Sequence, residues 1–103
     1  MNQSLPIVNL AAICEAHHVA KLFLFGSIAR EEFNPQSSDV DVSVIFLDVP
    51  IESYFDNYMA LFSSLETLFG RSVDLVEYNA IQNPIFKAAL DREKVILYDR
   101  EAA

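Results

Sequence analysis

The segment between residues 22 and 44 constrains the fold of this chain more than any other segment. Residues 22–25 form an apolar run typical of a buried strand, and Gly26 and Ser27 follow it directly, ahead of helix-forming residues. Unpaired backbone N–H groups at the start of a helix favour anions. Gly26 permits a close approach to the backbone, and the Ser27 hydroxyl adds a hydrogen-bond donor. The sequence therefore predicts a phosphate-sized anion site at this turn.

Two carboxylates mark the start of the next apolar strand. Asp39 and Asp41 flank Val40, and successive side chains of a strand point to opposite faces at about 3.3 Å per residue. Both carboxylates are therefore expected on one face of the strand, about 6.6 Å apart along the backbone. Two acids at that separation repel each other unless a cation lies between them.

The motifs of this segment occur in a set order between two hydrophobic strands. They are Gly26-Ser27, Ala29-Arg30 and Ser38-Asp39-Val40-Asp41. The pattern resembles that of the DNA polymerase beta-like nucleotidyltransferase superfamily, and within it the minimal nucleotidyltransferase (MNT) domains encoded beside HEPN-domain proteins in prokaryotes. The superfamily also has a later acidic strand, which Val73-Asp74-Leu75-Val76 supplies. The spacer over residues 28–38 is one residue longer than in most members.

The resemblance implies a metal site made of three carboxylates. Asp39 and Asp41 would hold the metal of the nucleotide, and Asp74 would complete the catalytic ion site. The metal would be Mg²⁺ or Mn²⁺, because hard divalent cations prefer oxygen ligands.

The resemblance also implies a substrate and a partner. Gly26 and Ser27 would cradle the triphosphate of ATP, with Arg30 as a phosphate contact. The reaction would transfer AMP to a tyrosine hydroxyl of a HEPN toxin, and the chain would be the antitoxin of that pair.

Other interpretations stay open from the residues alone. The chain could be a catalytically weak or inactive antitoxin that neutralises the toxin by direct binding. Asp74 could be an ordinary exposed acid, and Arg30 could pair with a neighbouring glutamate. An RNA or tRNA nucleotidyltransferase is disfavoured, and no direct nucleic-acid contact is expected. Nucleic-acid binders use clustered Lys and Arg, whereas this chain has a formal net charge of -8.

Length and composition predict one domain over residues 1–103. Hydrophobic residues make up 52% of the chain, which is enough for a packed interior. No apolar run is long enough for a membrane span and the first ten residues lack the pattern of a signal peptide, so a cytoplasmic location is expected. The single Cys14 permits no internal disulfide. A homo- or hetero-oligomer is compatible with these features.

Hydrophobic periodicity predicts alternating helices and strands. Helices are predicted over residues 5–17 with Ser4 as N-cap, 27–32, 52–69 and 83–91, strands over 19–25, 39–47, 71–78 and 94–98, and a frayed tail over 99–103. This order indicates an α/β or α+β fold in which a mixed sheet of about four strands is covered by helices. The nucleotidyltransferase fold implied by the resemblance has the same description.

Two pairs of residues have both a structural and a functional interpretation. His17 and His18 are adjacent, but neighbours on a helix point about 100 degrees apart and do not easily share a metal ion, so a place at the helix C-terminus is favoured. Tyr54 and Tyr58 could stack on a nucleobase, but aromatic residues at helical spacing are more often part of a core.

Overall fold

The structure, a computed structural model, describes residues 9–26 and 39–102. The helices and strands of these residues are α1 (Leu10–Ala16), β1 (Val19–Phe25), β2 (Val40–Phe46), α2 (Ile51–Phe69), β3 (Val73–Glu77), α3 (Pro84–Glu93) and β4 (Val95–Asp99). Short 3-10 turns follow β3 at Tyr78–Ala80 and β4 at Arg100–Ala102. None of the helices in these parts of the chain is both long and apolar enough to cross a membrane. The predicted helix over residues 27–32 lies outside the described residues.

The strands form one mixed sheet with the order β3-β2-β1-β4. β1 pairs antiparallel with both β2 and β4, whereas β2 and β3 run parallel. A parallel pair needs a long crossover connection, and α2 supplies it between β2 and β3. The predicted mixed sheet with packed helices is therefore confirmed. The amino ends of β2 and β3 lie at the same edge of the sheet.

The main core lies between one face of this sheet and the helices α1 and α2. Alternate strand residues point into it, because the side chains of a strand alternate between the two faces. Its buried members are Leu10, Cys14, Val19, Leu22, Leu24, Val40, Val42, Val44, Leu61, Leu65, Phe69, Val73, Leu75 and Tyr98. Burial, and then the charge of Glu15, raise the pKa of the Cys14 thiol to about 12. This thiol therefore stays protonated at neutral pH.

The opposite face of the sheet is covered near the carboxyl end of β1. Phe25 packs edge-on against Phe86 of α3, with ring centroids 5.9 Å apart. Phe23 contacts the ring of Tyr78, with centroids 5.8 Å apart. Phe23 and Phe25 are both buried. The second face of the sheet is therefore apolar beside the turn that begins at Gly26.

The ends of α2 and α3 follow from local sequence. Gly70 ends α2 in the left-handed conformation, with φ of 69°. The Asn83 side chain accepts hydrogen bonds from the backbone N–H groups of Ile85 and Phe86, at 2.9 and 3.2 Å. Asn83 thus caps α3, and Pro84 occupies the first turn, where its missing N–H costs nothing.

The predicted start of α1 at residue 5 was wrong. The helix begins at Leu10, because Asn9 has a left-handed φ of 74° that a right-handed helix cannot continue through. Ser4, the predicted N-cap, lies outside the described residues.

Three predictions elsewhere in the chain were wrong. Tyr78, predicted in a strand, begins a 3-10 turn. The predicted frayed tail instead starts with Asp99 in β4, and the Asp99 carboxylate accepts a hydrogen bond from the Glu101 N–H at 3.0 Å. Helical spacing in the sequence also predicts Phe55 on the apolar face of α2, yet Phe55 is 69% exposed. Phe55 is the residue after Tyr54, which faces β3, and neighbouring side chains of a helix point about 100 degrees apart.

His17 and His18 lie at the end of α1, as the sequence favours. Nδ1 of His17 lies 2.7 Å from the carbonyl oxygen of Ile13. His18 has a left-handed φ of 60°, and its carbonyl accepts a hydrogen bond from the Leu47 N–H at 2.7 Å. The two residues thus end α1 and connect it to the carboxyl end of β2.

Tyr54 and Tyr58 join α2 to β3. The Tyr58 hydroxyl donates to the Leu75 carbonyl, and the Tyr54 hydroxyl donates to Glu77 Oε1 at 3.2 Å. The two rings stack with centroids 6.4 Å apart, and Tyr54 contacts Phe46 edge-on at 5.6 Å. Both tyrosines therefore take part in packing, which is the interpretation that the sequence favours.

Stability at alkaline pH is expected to depend on Tyr54. Burial, and then the Glu77 carboxylate, raise the pKa of Tyr54 to about 12, whereas an unfolded tyrosine titrates at about 10. With a raised pKa in the folded state, the stabilisation is complete below about pH 10 and is lost as the pH rises toward 12. Tyr54→Phe should therefore flatten the fall in melting temperature between about pH 10 and 12 in calorimetry.

A matched variant separates the two causes of this shift. Glu77→Gln removes the carboxylate but leaves Tyr54 buried, so its melting temperature should fall with an intermediate slope. An unchanged slope in Tyr54→Phe would contradict the assignment.

Candidate functional site

The register of the parallel strands brings two of the predicted carboxylates together. Asp41 of β2 is the direct partner of Asp74 of β3. Neighbouring strands lie about 4.8 Å apart and paired residues point to the same face, so the two side chains project side by side. Their face is the one opposite the main core, because Val40 and Val42 on either side of Asp41 are fully buried in that core. Asp41 is half-buried, and Asp74 is exposed.

Gly26 lies directly against the carboxylate of Asp41. Phe25 pairs with Asp41 in the sheet, and Gly26 follows with a φ of 77°. A Cβ atom placed on Gly26 would lie 2.1 Å from Oδ2 of Asp41, far inside any real contact. The position therefore requires glycine for two reasons, the backbone conformation and the space that Asp41 fills.

Asp39 lies at the same edge of the sheet, just before β2. It is exposed, and the next residue, Val40, donates its backbone N–H to the Ser72 carbonyl at 3.0 Å. This bond aligns the amino ends of β2 and β3. The three predicted carboxylates thus belong to one edge, with Asp41 and Asp74 paired and Asp39 immediately outside the strand.

Ser27 and Arg30, the other predicted nucleotide-binding residues, lie outside the described residues. Their roles stay predictions. Gly26, which directly precedes Ser27, is buried at the end of β1. The described part of the turn therefore ends where the phosphate site is predicted to begin.

Two residues beside the carboxylates were not singled out by the sequence. Ser43 lies two residues beyond Asp41 on the same face, is fully buried, and has no hydrogen-bond partner for Oγ among the described residues. Phe86 packs against Phe25, the residue that pairs with Asp41. Strand alternation already predicts Ser43 on the Asp41 face. No sequence pattern indicates Phe86, because its contact depends on how α3 folds back onto the sheet.

The donor set suits a hard divalent cation. Asp39, Asp41 and Asp74 offer carboxylate oxygens, the ligands that Mg²⁺ and Mn²⁺ prefer. Within residues 9–26 and 39–102, no three or more His, Cys, Asp or Glu side chains are gathered closely enough to hold a metal ion. Mg²⁺ is commonly bound through one or two carboxylates, with substrate phosphates and water completing its shell. The Asp41 and Asp74 pair therefore fits a cation that binds together with a nucleotide.

Several known proteins are similar to this chain in sequence or in fold. A protein of Methanocaldococcus jannaschii named "Putative protein adenylyltransferase MJ1217" is 31% identical over 83 residues, which is 81% of each chain. The structure of a "putative minimal nucleotidyltransferase" has a TM-score of 0.71 at 27% identity, over 85% of each chain. One chain in the complex of a tri-AMPylated HEPN toxin of Shewanella oneidensis with an MNT antitoxin has the same fold. Its TM-score is 0.58 at 17% identity, over 97% of this chain and 75% of that chain.

The family assignment rests on nearly the whole chain. The description of the matching family is polymerase beta, nucleotidyltransferase, and the match covers residues 9–103. It includes the paired carboxylates Asp41 and Asp74 and the turn at Gly26. The resemblance noted in the sequence is confirmed, and the chain belongs to the polymerase beta nucleotidyltransferase family.

Proposed function

We propose that this chain transfers AMP from ATP to a tyrosine hydroxyl of a HEPN-type partner protein, with Mg²⁺ or Mn²⁺ bound, and so acts as an antitoxin. The observation that carries the proposal is the pairing of Asp41 with Asp74 directly beside Gly26. The M. jannaschii relative named as an adenylyltransferase and the similar complex that contains an AMPylated HEPN toxin support it.

The carboxylates are proposed to hold the cation. Asp39 and Asp41 would bind the metal of the nucleotide, and Asp74 would complete the catalytic ion site. Four negative charges or more would otherwise meet at one edge of the sheet once a triphosphate entered. ATP binding should therefore depend on the divalent cation.

The turn after β1 is proposed to hold the triphosphate. Gly26 would contact the triphosphate through its backbone, since its missing side chain leaves room for the Asp41 carboxylate and its positive φ turns the chain sharply. Ser27 would donate a hydrogen bond to a phosphate oxygen, and Arg30 would pair with another phosphate.

The reaction is a displacement at the α-phosphorus of ATP. A bond forms between the tyrosine oxygen and this phosphorus, the bond to the bridging oxygen breaks, pyrophosphate leaves, and the phenolic proton is released. A bound divalent cation neutralises the triphosphate and lowers the pKa of the attacking hydroxyl. The chain itself contributes by positioning, because the sheet holds Asp41 and Asp74 side by side before the substrate binds.

The acceptor hydroxyl is proposed to come from the partner. Asp74 is exposed, so the carboxylate pair is open to a second protein on that side. The hydroxyl must reach within about 3 to 3.5 Å of the α-phosphorus, in line with the leaving pyrophosphate. A partner that docks on this domain can hold a tyrosine in that position.

Intact-mass spectrometry of the mixed proteins tests the proposal. The chain is combined with a purified HEPN-type protein of the same organism, ATP and Mg²⁺, and the partner is expected to gain the mass of one adenylyl group per modified tyrosine. Chelation of the cation, or Asp39→Asn in the chain, should prevent the gain. Substitution of the modified tyrosine by phenylalanine should prevent it at that site only.

The same measurement separates catalysis from direct binding. Toxin neutralisation that persists in Asp39→Asn, with no added mass in either protein, would contradict AMP transfer. It would identify the chain as an antitoxin that acts by contact.

A further inference from the structure

The first half of α2 exposes a row of large apolar side chains to solvent. Ile51, Phe55 and Met59 are 82%, 69% and 41% exposed. Residues four positions apart lie on the same side of a helix, so the three side chains form one row about 12 Å long. We call this row the α2 stripe. Single exposed apolar residues are ordinary, but a row of three on one helix is characteristic of a surface that binds a partner.

The charge around the α2 stripe has one sign. Glu52 and Asp56 are exposed on the same half of the helix, and exposed Asp48 precedes it. Residues 31–70 contain eight Asp and Glu and no Lys, Arg or His, whereas the rest of the chain has seven acids and seven Lys and Arg. The whole net charge of -8 therefore belongs to this part of the sequence.

This charge decides which occupant suits the stripe. If two copies of the chain met through it, Glu52 and Asp56 of each copy would face their own counterparts, and like charges at an interface cost affinity. A partner with an apolar contact surrounded by Lys and Arg would instead be attracted by Glu52 and Asp56. The stripe therefore suits a basic partner protein and not a second copy of the chain.

The stripe and the carboxylate pair lie at different ends of the sheet. Glu66, late in α2, accepts a hydrogen bond from the N–H of Val73 at the start of β3, whereas Tyr54 donates to Glu77 at its end. The first half of α2 thus lies beside the carboxyl end of β3, while Asp74 is near its amino end. A protein seated on the α2 stripe would leave the Asp41 and Asp74 edge open to a tyrosine on another part of the same protein.

We infer that the α2 stripe is the docking surface for the HEPN-type partner. The partner would contact the stripe with apolar side chains of a helix, and its Lys and Arg side chains would surround that contact. The inference rests on the proposed function for the identity of the partner, but docking requires neither nucleotide nor catalysis. Binding through the stripe and AMP transfer at the carboxylates are therefore separable properties of one chain.

The chain offers a closely matched control for a test. Ile51 in the first turn of α2 is 82% exposed, and Ile85 in the first turn of α3 is 80% exposed. Both side chains can be replaced by serine at similar cost to the helix, and only Ile51 belongs to the stripe. Affinity for the same HEPN-type protein is measured without ATP by biolayer interferometry.

The double variant Ile51→Ser with Phe55→Ser is expected to weaken partner binding by at least about tenfold, because central apolar contacts dominate interface energies. Ile85→Ser should stay within about twofold of the unmodified chain. Glu52→Lys with Asp56→Lys should slow association and reduce its dependence on salt. Unchanged melting temperatures would show that the exposed substitutions leave the fold intact.

Several outcomes would overturn the inference. They are undiminished binding in the double variant, an equal loss in Ile85→Ser, or no binding of the HEPN-type protein by the unmodified chain. Failure of the proposed function looks different, since binding would still depend on the stripe while no mass was added with ATP and Mg²⁺. If both proposals hold, a high partner concentration should restore AMP transfer by the double variant.

Discussion

Asp41→Asn is expected to lower the rate of AMP transfer by on the order of 1,000-fold while the domain stays folded. The substitution keeps the size of the side chain but removes the charge beside Asp74 and Gly26. Charge stabilisation by a bound cation is worth several kcal/mol in the transition state, and each 1.4 kcal/mol is about tenfold in rate. Because asparagine has nearly the same shape as aspartate, circular dichroism should show that the secondary structure of the variant is unchanged.

Glu101→Gln is the matched control for this variant. Glu101 is exposed and follows β4, whose carboxyl end pairs with the start of β1, so its loss changes the net charge by the same amount, away from the site and from the α2 stripe. Transfer rates from single-turnover mass measurements should be nearly unchanged in Glu101→Gln. A rate loss below about tenfold in Asp41→Asn would be too small for a metal ligand.

Gly26→Ala is expected to inactivate the site by a different route. Its new Cβ would meet Oδ2 of Asp41 at 2.1 Å, so the carboxylate or the turn must move. A displacement of this size in a positioned site should cost about 100-fold in transfer. The left-handed φ of 77° strains an alanine by about 1 to 2 kcal/mol, which lowers the free energy of unfolding by that amount.

Gly70→Ala separates the strain from the clash. Gly70 has a similar φ of 69°, but a Cβ there would meet nothing within 4 Å. Denaturant unfolding should therefore show a loss of about 1 to 2 kcal/mol in Gly70→Ala, with AMP transfer preserved. If both alanine variants transferred AMP equally well, the close contact between Gly26 and Asp41 would not affect the rate of transfer.

Local sequence was sufficient for most of the secondary structure. The strand over residues 19–25 was predicted with the bounds observed, because left-handed residues, His18 and Gly26, end the extended run on either side. The predicted end of the helix over residues 52–69 and the predicted start of the next helix near residue 83 also agree with the structure. Gly70 and Asn83 set these boundaries, and a left-handed glycine and a side-chain cap are properties of a few neighbouring residues. The alternation of β2 also predicted that Asp41 and Ser43 share a face.

Contacts between distant elements could not be predicted in the same way. Periodicity gives the face on which Asp74 lies but not the strand beside it, and the register with Asp41 depends on how α2 crosses over. The resemblance to a family supplied Asp74 where the residues alone did not. Phe55 was misplaced for a related reason, because helical periodicity assigns apolar residues to the interior, whereas the contacts of α2 with the rest of the fold decide which of them are covered.

The parallel pairing of β2 with β3 also determines when the site can form during synthesis. Asp41 and Asp74 are separated by 33 positions, so the ribosome delivers the second carboxylate about 2 to 7 s after the first, at 5 to 20 residues per second. Until α2 has crossed over and β3 has paired, Asp41 and Gly26 have no Asp74 beside them. If the chain modifies a toxin as proposed, no newly made copy could do so before that interval has passed.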